Sequence, residues 1–75
     1  MPEAKAAEIA NKADMIIWDY AFTKCEAGVR IANLQTGKAT LLTVDGVISE
    51  SSMDEIEASL VKKYFDENRQ FLYVA

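Results

Sequence analysis

The 75-residue sequence has no histidine, one cysteine, one proline and three glycines. Without histidine it lacks the commonest general base and metal ligand, and it excludes every catalytic triad built on an imidazole. One cysteine excludes an intrachain disulfide, and Cys25 has no histidine to activate its thiol. No apolar run exceeds five residues, far short of the ~20 that span a membrane. We therefore expect no catalytic residue, no metal ligand and no cofactor.

Charge of one sign dominates the second half of the chain. The formal net charge is −4, and residues 39–75 carry all of it, because the acids and bases of residues 1–38 balance. No base lies between Lys38 and Lys62, a gap that contains five acidic residues. Such a surface repels phosphate, so we expect no direct binding to nucleic acid and none to anionic membranes.

The composition is that of one globular domain. Apolar residues make up 51% of the chain and charged residues 27%, which excludes a disordered polyampholyte. Residues 1–75 are short enough for a single small domain. The first residues lack the basic start and apolar stretch of a secretory signal, and a lone cysteine fits a reducing compartment. These features predict a complete, cytoplasmic protein.

The first segment permits two interpretations. From Pro2 to about Ala21 the apolar residues lie on one arc of a helical wheel, which predicts a long N-terminal helix. Residues 15–24 also read as a strand, because they are rich in β-branched and aromatic side chains that alternate along the chain. No turn residue separates Lys12 from Met15, so we favour the helix.

The middle of the chain predicts three strands. Gly28, Gly37 and Gly46 recur every nine residues, and β-forming runs lie between them. Two-residue turns at Thr36-Gly37 and Asp45-Gly46 would pair Val29 with Val44 and Ile31 with Leu42. One face of the resulting meander would bury five apolar residues, namely Val29, Ile31, Leu42, Val44 and Val47.

A second helix and a terminal strand complete the predicted fold. Ser52 and Glu55 have the spacing of a capping box, and an apolar stripe continues to about Asp66. The apolar, β-forming residues 71–75 predict a short C-terminal strand, which either closes the sheet of its own chain or adds to the sheet of another. The fold class is therefore α+β, with a long N-terminal helix, a three-stranded antiparallel β-meander, a second helix and a short C-terminal strand. Both helices would cover the Val29 face of the sheet.

Two groups of residues are candidates for a functional site. Glu57 falls inside the apolar stripe of the second helix. It either meets solvent there or forms a partly buried ion pair, with Arg30 or with a basic group on a partner chain. Four aromatic residues lie off the core stripes or in the tail. They either anchor a protein contact, as exposed aromatic side chains commonly do, or cover the core of this small chain. These candidate interface residues are Trp18, Phe22, Phe71 and Tyr73.

Three segments carry a resemblance to known sequences: residues 29–38 (VRIANLQTGK), residues 44–48 (VDGVI) and residues 53–57 (MDEIE). Over about residues 28–65 the chain resembles small, acidic, uncharacterised proteins of gut anaerobic bacteria, which are short αββ(β)α-type chains of unknown function. The resemblance implies no activity and assigns no functional residue.

Three functions are compatible with these features. The first is a small non-enzymatic protein-interaction module, acting as a homo-oligomer such as a homodimer or as the acidic partner of a larger protein. The second is an acidic mimic that occupies the nucleic-acid site of a DNA-binding protein. The third is a small-molecule enzyme, for which no substrate is evident, and we favour the first.

Overall fold

The computed structural model describes residues 9–72, and strands form most of its first two thirds. The described part begins in helical backbone at residues 9–12, which we label α1. Five strands follow, namely β1 (Met15–Ile17), β2 (Tyr20–Cys25), β3 (Gly28–Asn33), β4 (Ala39–Leu42) and β5 (Ile48–Ser51). The helix α2 (Glu55–Leu72) ends the described part. Each strand pairs antiparallel with the next, so the sheet order is β1-β2-β3-β4-β5.

The prediction of a long N-terminal helix and a three-stranded meander is wrong. Helical backbone within the described residues ends at residue 12, and residues 15–25 form the hairpin of β1 and β2. Asp14 starts this hairpin, because its amide donates to the Phe22 carbonyl (2.9 Å) and its carboxylate accepts from the Lys24 amide (2.7 Å). The part of the predicted helix at residues 2–8 lies outside the described residues.

Helix α2 packs on one face of the sheet. Side chains alternate between the two faces of a strand, so the buried Val29 and Ile31 point towards α2 and the exposed Arg30 points away. Residues of α2 and of β2, β3 and β4 then share one core. Its buried members are Phe22, Val29, Ile31, Leu42, Met53, Ala58, Val61, Phe65 and Leu72.

The register between β3 and β4 differs from the prediction by two residues. Val29 pairs with Leu42, not with Val44, because the connecting turn is longer than two residues. The Asn33 side-chain oxygen accepts from the amides of Gln35 (2.8 Å) and Thr36 (3.1 Å), which stabilises the longer turn. Because the shift is an even number of residues, the side chains of β3 and β4 stay on their predicted faces. The predicted core positions of β3 are therefore correct.

The turn between β4 and β5 also contains one residue more than predicted. The Thr43 carbonyl accepts from the Gly46 amide (2.9 Å), and the Thr43 amide donates to the Val47 carbonyl (2.8 Å). Gly46 has a φ of +86°, the left-handed conformation of a three-residue hairpin loop. Val44 and Val47 therefore lie in an exposed loop, and their predicted burial is wrong.

Both ends of the second helix differ from the prediction. Asp54 caps its N-terminus, because the Asp54 carboxylate accepts from the Glu57 amide at 2.7 Å. Ser52 instead accepts from the Ala39 amide of β4 at 2.9 Å. The helix continues through Leu72, which is buried in the core, so residues 71 and 72 do not begin a strand. The rest of the predicted terminal strand, residues 73–75, lies outside the described residues.

Replacing Asp54 by alanine is expected to lower the free energy of unfolding by about 1 kcal/mol, because the Glu57 amide loses its capping acceptor. In a domain this small, about 1 kcal/mol corresponds to a melting temperature lower by several degrees. Glu67→Ala, which removes an exposed α2 carboxylate that accepts no hydrogen bond from another described residue, is the control and should have a smaller effect. Equal melting temperatures for Asp54→Ala and wild type would contradict the cap.

The segment α1 lies on the face of the sheet opposite α2. Ile9 and Lys12 border a cleft of about 140 Å³ together with Thr23, Arg30 and Ala32, whose side chains point away from α2. The prediction that both helices cover the Val29 face is therefore wrong for the described part of the first helix. In residues 9–72, no helix is long and apolar enough to span a bilayer.

Candidate functional site

The tight turn between β1 and β2 exposes the single tryptophan of the chain. Ile17 pairs with Tyr20, so only Trp18 and Asp19 connect the two strands. Trp18 has a φ of +55°, and its side chain is 80% exposed. A left-handed backbone costs a bulky residue about 1–2 kcal/mol relative to its ordinary conformation. Glycine would fit this position with less strain, so the presence of tryptophan there requires another explanation.

Contacts with the neighbouring β3–β4 turn hold the Trp18 turn in place. The Asp19 carbonyl accepts from the Leu34 amide at 2.8 Å, and the Asp19 carboxylate accepts from the Gln35 side-chain amide at 2.8 Å. These two bonds fix Asp19 from outside its own hairpin. The backbone that carries the Trp18 indole is therefore already fixed in the free chain, so less conformational entropy is lost when a partner binds.

A polar cluster next to this turn connects the sheet to α2. The Glu57 carboxylate accepts from the Tyr20 hydroxyl at 2.8 Å and from the Asn33 side-chain amide at 2.9 Å. The Tyr20 ring also lies against that of Tyr64, with centroids 6.1 Å apart. Strands β2 and β3 and the first turn of α2 consequently meet at one end of the sheet.

The Tyr20 hydroxyl of the polar cluster has a raised pKa. Burial, together with the hydrogen bond to Glu57 and its negative charge, raises the pKa of Tyr20 from 10.0 to about 12. A phenol with that pKa stays protonated near neutral pH, where it donates a hydrogen bond and does not act as a base. Within the cluster, Tyr20 is a hydrogen-bond donor that joins β2 to α2.

Tyr20 is expected to make the fold sensitive to alkaline pH. Because its pKa is higher in the folded chain, its contribution to stability is fully present below pH 10 and is lost as the pH rises towards about 12. The free energy of unfolding, from urea titrations at both ends of this range, should fall more steeply for the wild type than for Tyr20→Phe. Parallel curves for wild type and Tyr20→Phe would contradict the assignment.

Two exposed apolar residues of α2 lie at the same end as Trp18. Ile56 precedes Glu57 and is 84% exposed, and Leu60 follows it one helical turn later. Glu57 bonds to Tyr20, which directly follows the turn of Trp18 and Asp19. Ile56, Leu60 and Trp18 therefore lie at one end of the molecule. We call Trp18, Ile56 and Leu60 the Trp18 surface.

The predicted interface residues do not form one surface. Trp18 and Phe71 are both exposed, but Phe71 lies 14 residues after Glu57 in α2, a rise of about 21 Å. Phe22 is fully buried in the core, because it alternates with Ala21 onto the face that α2 covers. Its assignment to an interface is therefore corrected. Tyr73 lies outside the described residues.

The predicted ion pair is not brought together either. Arg30 points away from α2, whereas Glu57 lies on α2 and bonds to Tyr20 and Asn33. Sequence reasoning found the half-buried carboxylate but missed both donors. Asn33 carried a usable signal, because an asparagine just before a turn commonly bonds the turn backbone, which places it at the end of β3.

Carboxylates and one thiol are the side chains of the described residues that could bind a metal ion. Residues 9–72 contain no group of three or more acidic or cysteine side chains close enough to hold a metal ion. Cys25, at the end of β2, is an exposed free thiol. The Trp18 surface combines a strained turn residue with exposed apolar side chains, which makes it the best candidate site.

Comparison with known proteins gives a family but no activity. No curated protein and no solved structure matches the chain. A model of a family of unknown function, DUF7723, matches residues 3–72. The resemblance to uncharacterised proteins is confirmed to that extent. Because the match covers nearly the whole chain, the protein belongs to the family of unknown function DUF7723.

Proposed function

We propose that the chain is a non-enzymatic protein-binding module of the bacterial cytoplasm, and that Trp18 is its main contact residue. The observation that carries the proposal is the placement of an 80% exposed indole on a left-handed turn residue. This arrangement destabilises the free chain, so a benefit elsewhere has to offset it. Tryptophan is also among the side chains that contribute most binding energy at protein interfaces.

The surroundings of Trp18 support a contact of useful size. Ile56 and Leu60 add exposed apolar area at the same end of the molecule. The bonds from Leu34 and Gln35 to Asp19 keep the turn rigid before binding. A rigid aromatic anchor beside an apolar patch is the usual centre of a protein interface.

The charges around the Trp18 surface favour a basic partner. Asp19 is adjacent to Trp18, and Asp54 and Glu55 lie at the start of α2 next to Ile56. The whole chain carries a net charge of −4. A second copy would bring two acidic rims together, whereas a partner with a basic rim around an apolar pocket would gain complementary charge. We therefore propose a hetero-complex over the homodimer.

The nucleic-acid mimic has less support than the protein-binding module. A mimic needs carboxylates that are free to imitate an array of phosphates. Of the acids between Lys38 and Lys62, Asp54 is engaged by the Glu57 amide and Glu57 by Tyr20 and Asn33.

The absence of histidine from the sequence supports a non-enzymatic role.

The test begins with photo-crosslinking in the native host. A photoreactive residue placed at Ile56 should capture a partner that the same residue at Val47, exposed on the β4–β5 loop, does not. The captured protein is then purified, and its affinity for the chain is measured directly. Trp18→Gly should weaken binding about 30-fold or more while the chain stays folded, since glycine tolerates the left-handed turn. Val47→Ala is the matched control and should leave the affinity unchanged.

Three results would overturn the proposal. The first is equal affinity of Trp18→Gly and wild type for the captured protein. The second is an affinity that does not fall as salt concentration rises, because the proposed basic partner requires screening of the acidic rim. The third is a concentration-dependent dimer, seen by sedimentation, that Trp18→Gly abolishes, since the occupant of the surface would then be a second copy.

A further inference from the structure

The face of the sheet away from α2 contains a second, independent candidate site. A cleft of about 450 Å³ lies over β3, β4 and β5, within the range of small-molecule sites. Ala39 and Leu41 of β4 contribute apolar surface, and Arg30 of β3 and Glu50 of β5 border it from either side. We call this the outer cleft.

An irregularity in β5 places Glu50 at the outer cleft. Ile48 pairs with Leu42, whose side chain lies in the core, so a regular strand would turn Glu50, two residues later, towards the same face. The register shifts between Leu41 and Leu42, and Glu50 consequently pairs with Leu41 on the outer face. Bulges of this kind often redirect a side chain next to a functional site.

The two charged residues of the outer cleft are available to a ligand. Arg30 and Glu50 flank Leu41 on three adjacent strands, so their Cα atoms are separated by about 10 Å, or two strand spacings. Within the described residues neither side chain forms an ion pair or a hydrogen bond. Opposite charges held apart across an apolar residue provide a binding position for each end of a dipolar molecule.

The rim of the outer cleft is held by hydrogen bonds between β4 and β5. The hydroxyls of Thr40 and Ser51 bond to each other at 2.7 Å on the α2 face of the sheet, because Thr40 pairs with the core residue Ile31. The Ser52 hydroxyl accepts from the Ala39 amide at 2.9 Å and donates to the Ala39 carbonyl at 3.2 Å. The strand that carries Glu50 is thus fixed relative to the strand that carries Leu41, so binding requires little rearrangement.

We propose that the outer cleft binds a short zwitterionic ligand of the dipeptide class. Its carboxylate would accept hydrogen bonds from the Arg30 guanidinium, which matches a carboxylate with two parallel donors. Its ammonium group would donate to Glu50, and an apolar side chain would rest on Leu41. Two extended residues span about 7 Å, which the Arg30 and Glu50 side chains can bracket.

The experiment titrates alanyl-leucine into the full chain and follows backbone amide shifts by NMR. For a ligand of this size we expect a dissociation constant on the order of a millimolar. The largest shifts should fall on β4 and β5. N-acetylation or C-amidation of the dipeptide should each weaken binding about tenfold or more, because each modification removes one charged contact.

Variants of the chain test the assignment of the two ends. Arg30→Met and Glu50→Gln should each weaken binding about tenfold or more, and the exposed controls Lys63→Met and Glu67→Gln on α2 should not. The exchange Arg30→Glu with Glu50→Arg should retain binding, because the dipeptide can then bind in the reverse orientation.

The proposal fails if alanyl-leucine causes no saturable shifts, or if the shifts lie outside β3, β4 and β5. It also fails if the Arg30 and Glu50 variants bind like the controls. All variants are at exposed positions, and dispersed amide spectra would verify that they fold. Trp18→Gly should leave dipeptide binding unchanged, so this proposal and that of the Trp18 surface are tested independently.

Discussion

Replacing Phe22 by alanine is expected to destabilise the chain by about 3–5 kcal/mol, because a fully buried aromatic side chain leaves a cavity in the core. At about 0.05–0.15 kcal/mol per residue, the whole chain is stabilised by only about 4–11 kcal/mol. The variant should therefore be largely unfolded at a urea concentration that leaves the wild type intact. Urea titration followed by circular dichroism measures both free energies.

Phe71→Ala provides the matched control for Phe22→Ala. The Phe71 side chain is 65% exposed at the end of α2, so its removal should change the free energy of unfolding by no more than about 0.5 kcal/mol. The two phenylalanines were predicted to share an interface, and the structure assigns them to different environments. An equal loss of stability in both variants would contradict the position of Phe22 in the core.

Replacing Gly28 by alanine is expected to have a comparably large effect. Gly28 starts β3 with a φ of +142°, a conformation that side chains rarely adopt. An added Cβ would overlap the carbonyl oxygen of Leu42 and lie 2.8 Å from the Cα of Thr43. Both obstacles are backbone atoms, so relief requires β3 and β4 to separate. We expect several kcal/mol of destabilisation or failure to fold.

Gly46→Ala is the control for Gly28→Ala. Gly46 also has a positive φ, but the atoms nearest to an added Cβ belong to the side chains of Asp66 (3.1 Å) and Phe65 (3.4 Å). The Asp66 carboxylate can shift, so the cost at Gly46 should be close to that of the backbone strain, about 1–2 kcal/mol. Melting temperatures that fall equally in both variants would show that β3 and β4 do not approach each other as closely as described.

The glycine-containing turns made the second half of the sheet partly predictable. They located β3, β4 and β5 approximately, and the alternation of Val29 and Ile31 placed the core face of β3 correctly. Turn lengths were not predictable, because Asn33 lengthens one turn through its side chain and Gly46 adds a residue to the other. One error shifted the register by an even number, which changed partners without changing faces.

The first hairpin was missed because its turn lacks the usual residues. A two-residue turn with positive φ favours glycine or asparagine, and this one contains Trp18 and Asp19. Without a turn signal, alanine-rich residues before Met15 and apolar residues after it merged into one helical pattern. The preference for glycine or asparagine in such turns failed at the single, exposed tryptophan. A functional constraint can override a local preference at such a position.

The candidate site was only half visible in the sequence. Trp18 stood out because it lay off the apolar stripe, and Glu57 stood out because it lay within one. The partners of Glu57, Tyr20 and Asn33, come from strands whose relative positions depend on the whole sheet. The shape of the outer cleft could not be predicted, because it depends on a bulge in β5 that the sequence does not signal.

The hairpin of β1 and β2, with Trp18 at its turn, underlies every assignment at the Trp18 surface. A NOESY spectrum of the full chain tests it most directly. If the hairpin forms, the spectrum contains backbone contacts between Ile16 and Ala21, and between Ala21 and Ala32 of the next strand. Contacts between residues three apart along the chain, from Met15 through Phe22, together with an absence of the Ile16–Ala21 contact, would mean a helix and would contradict it.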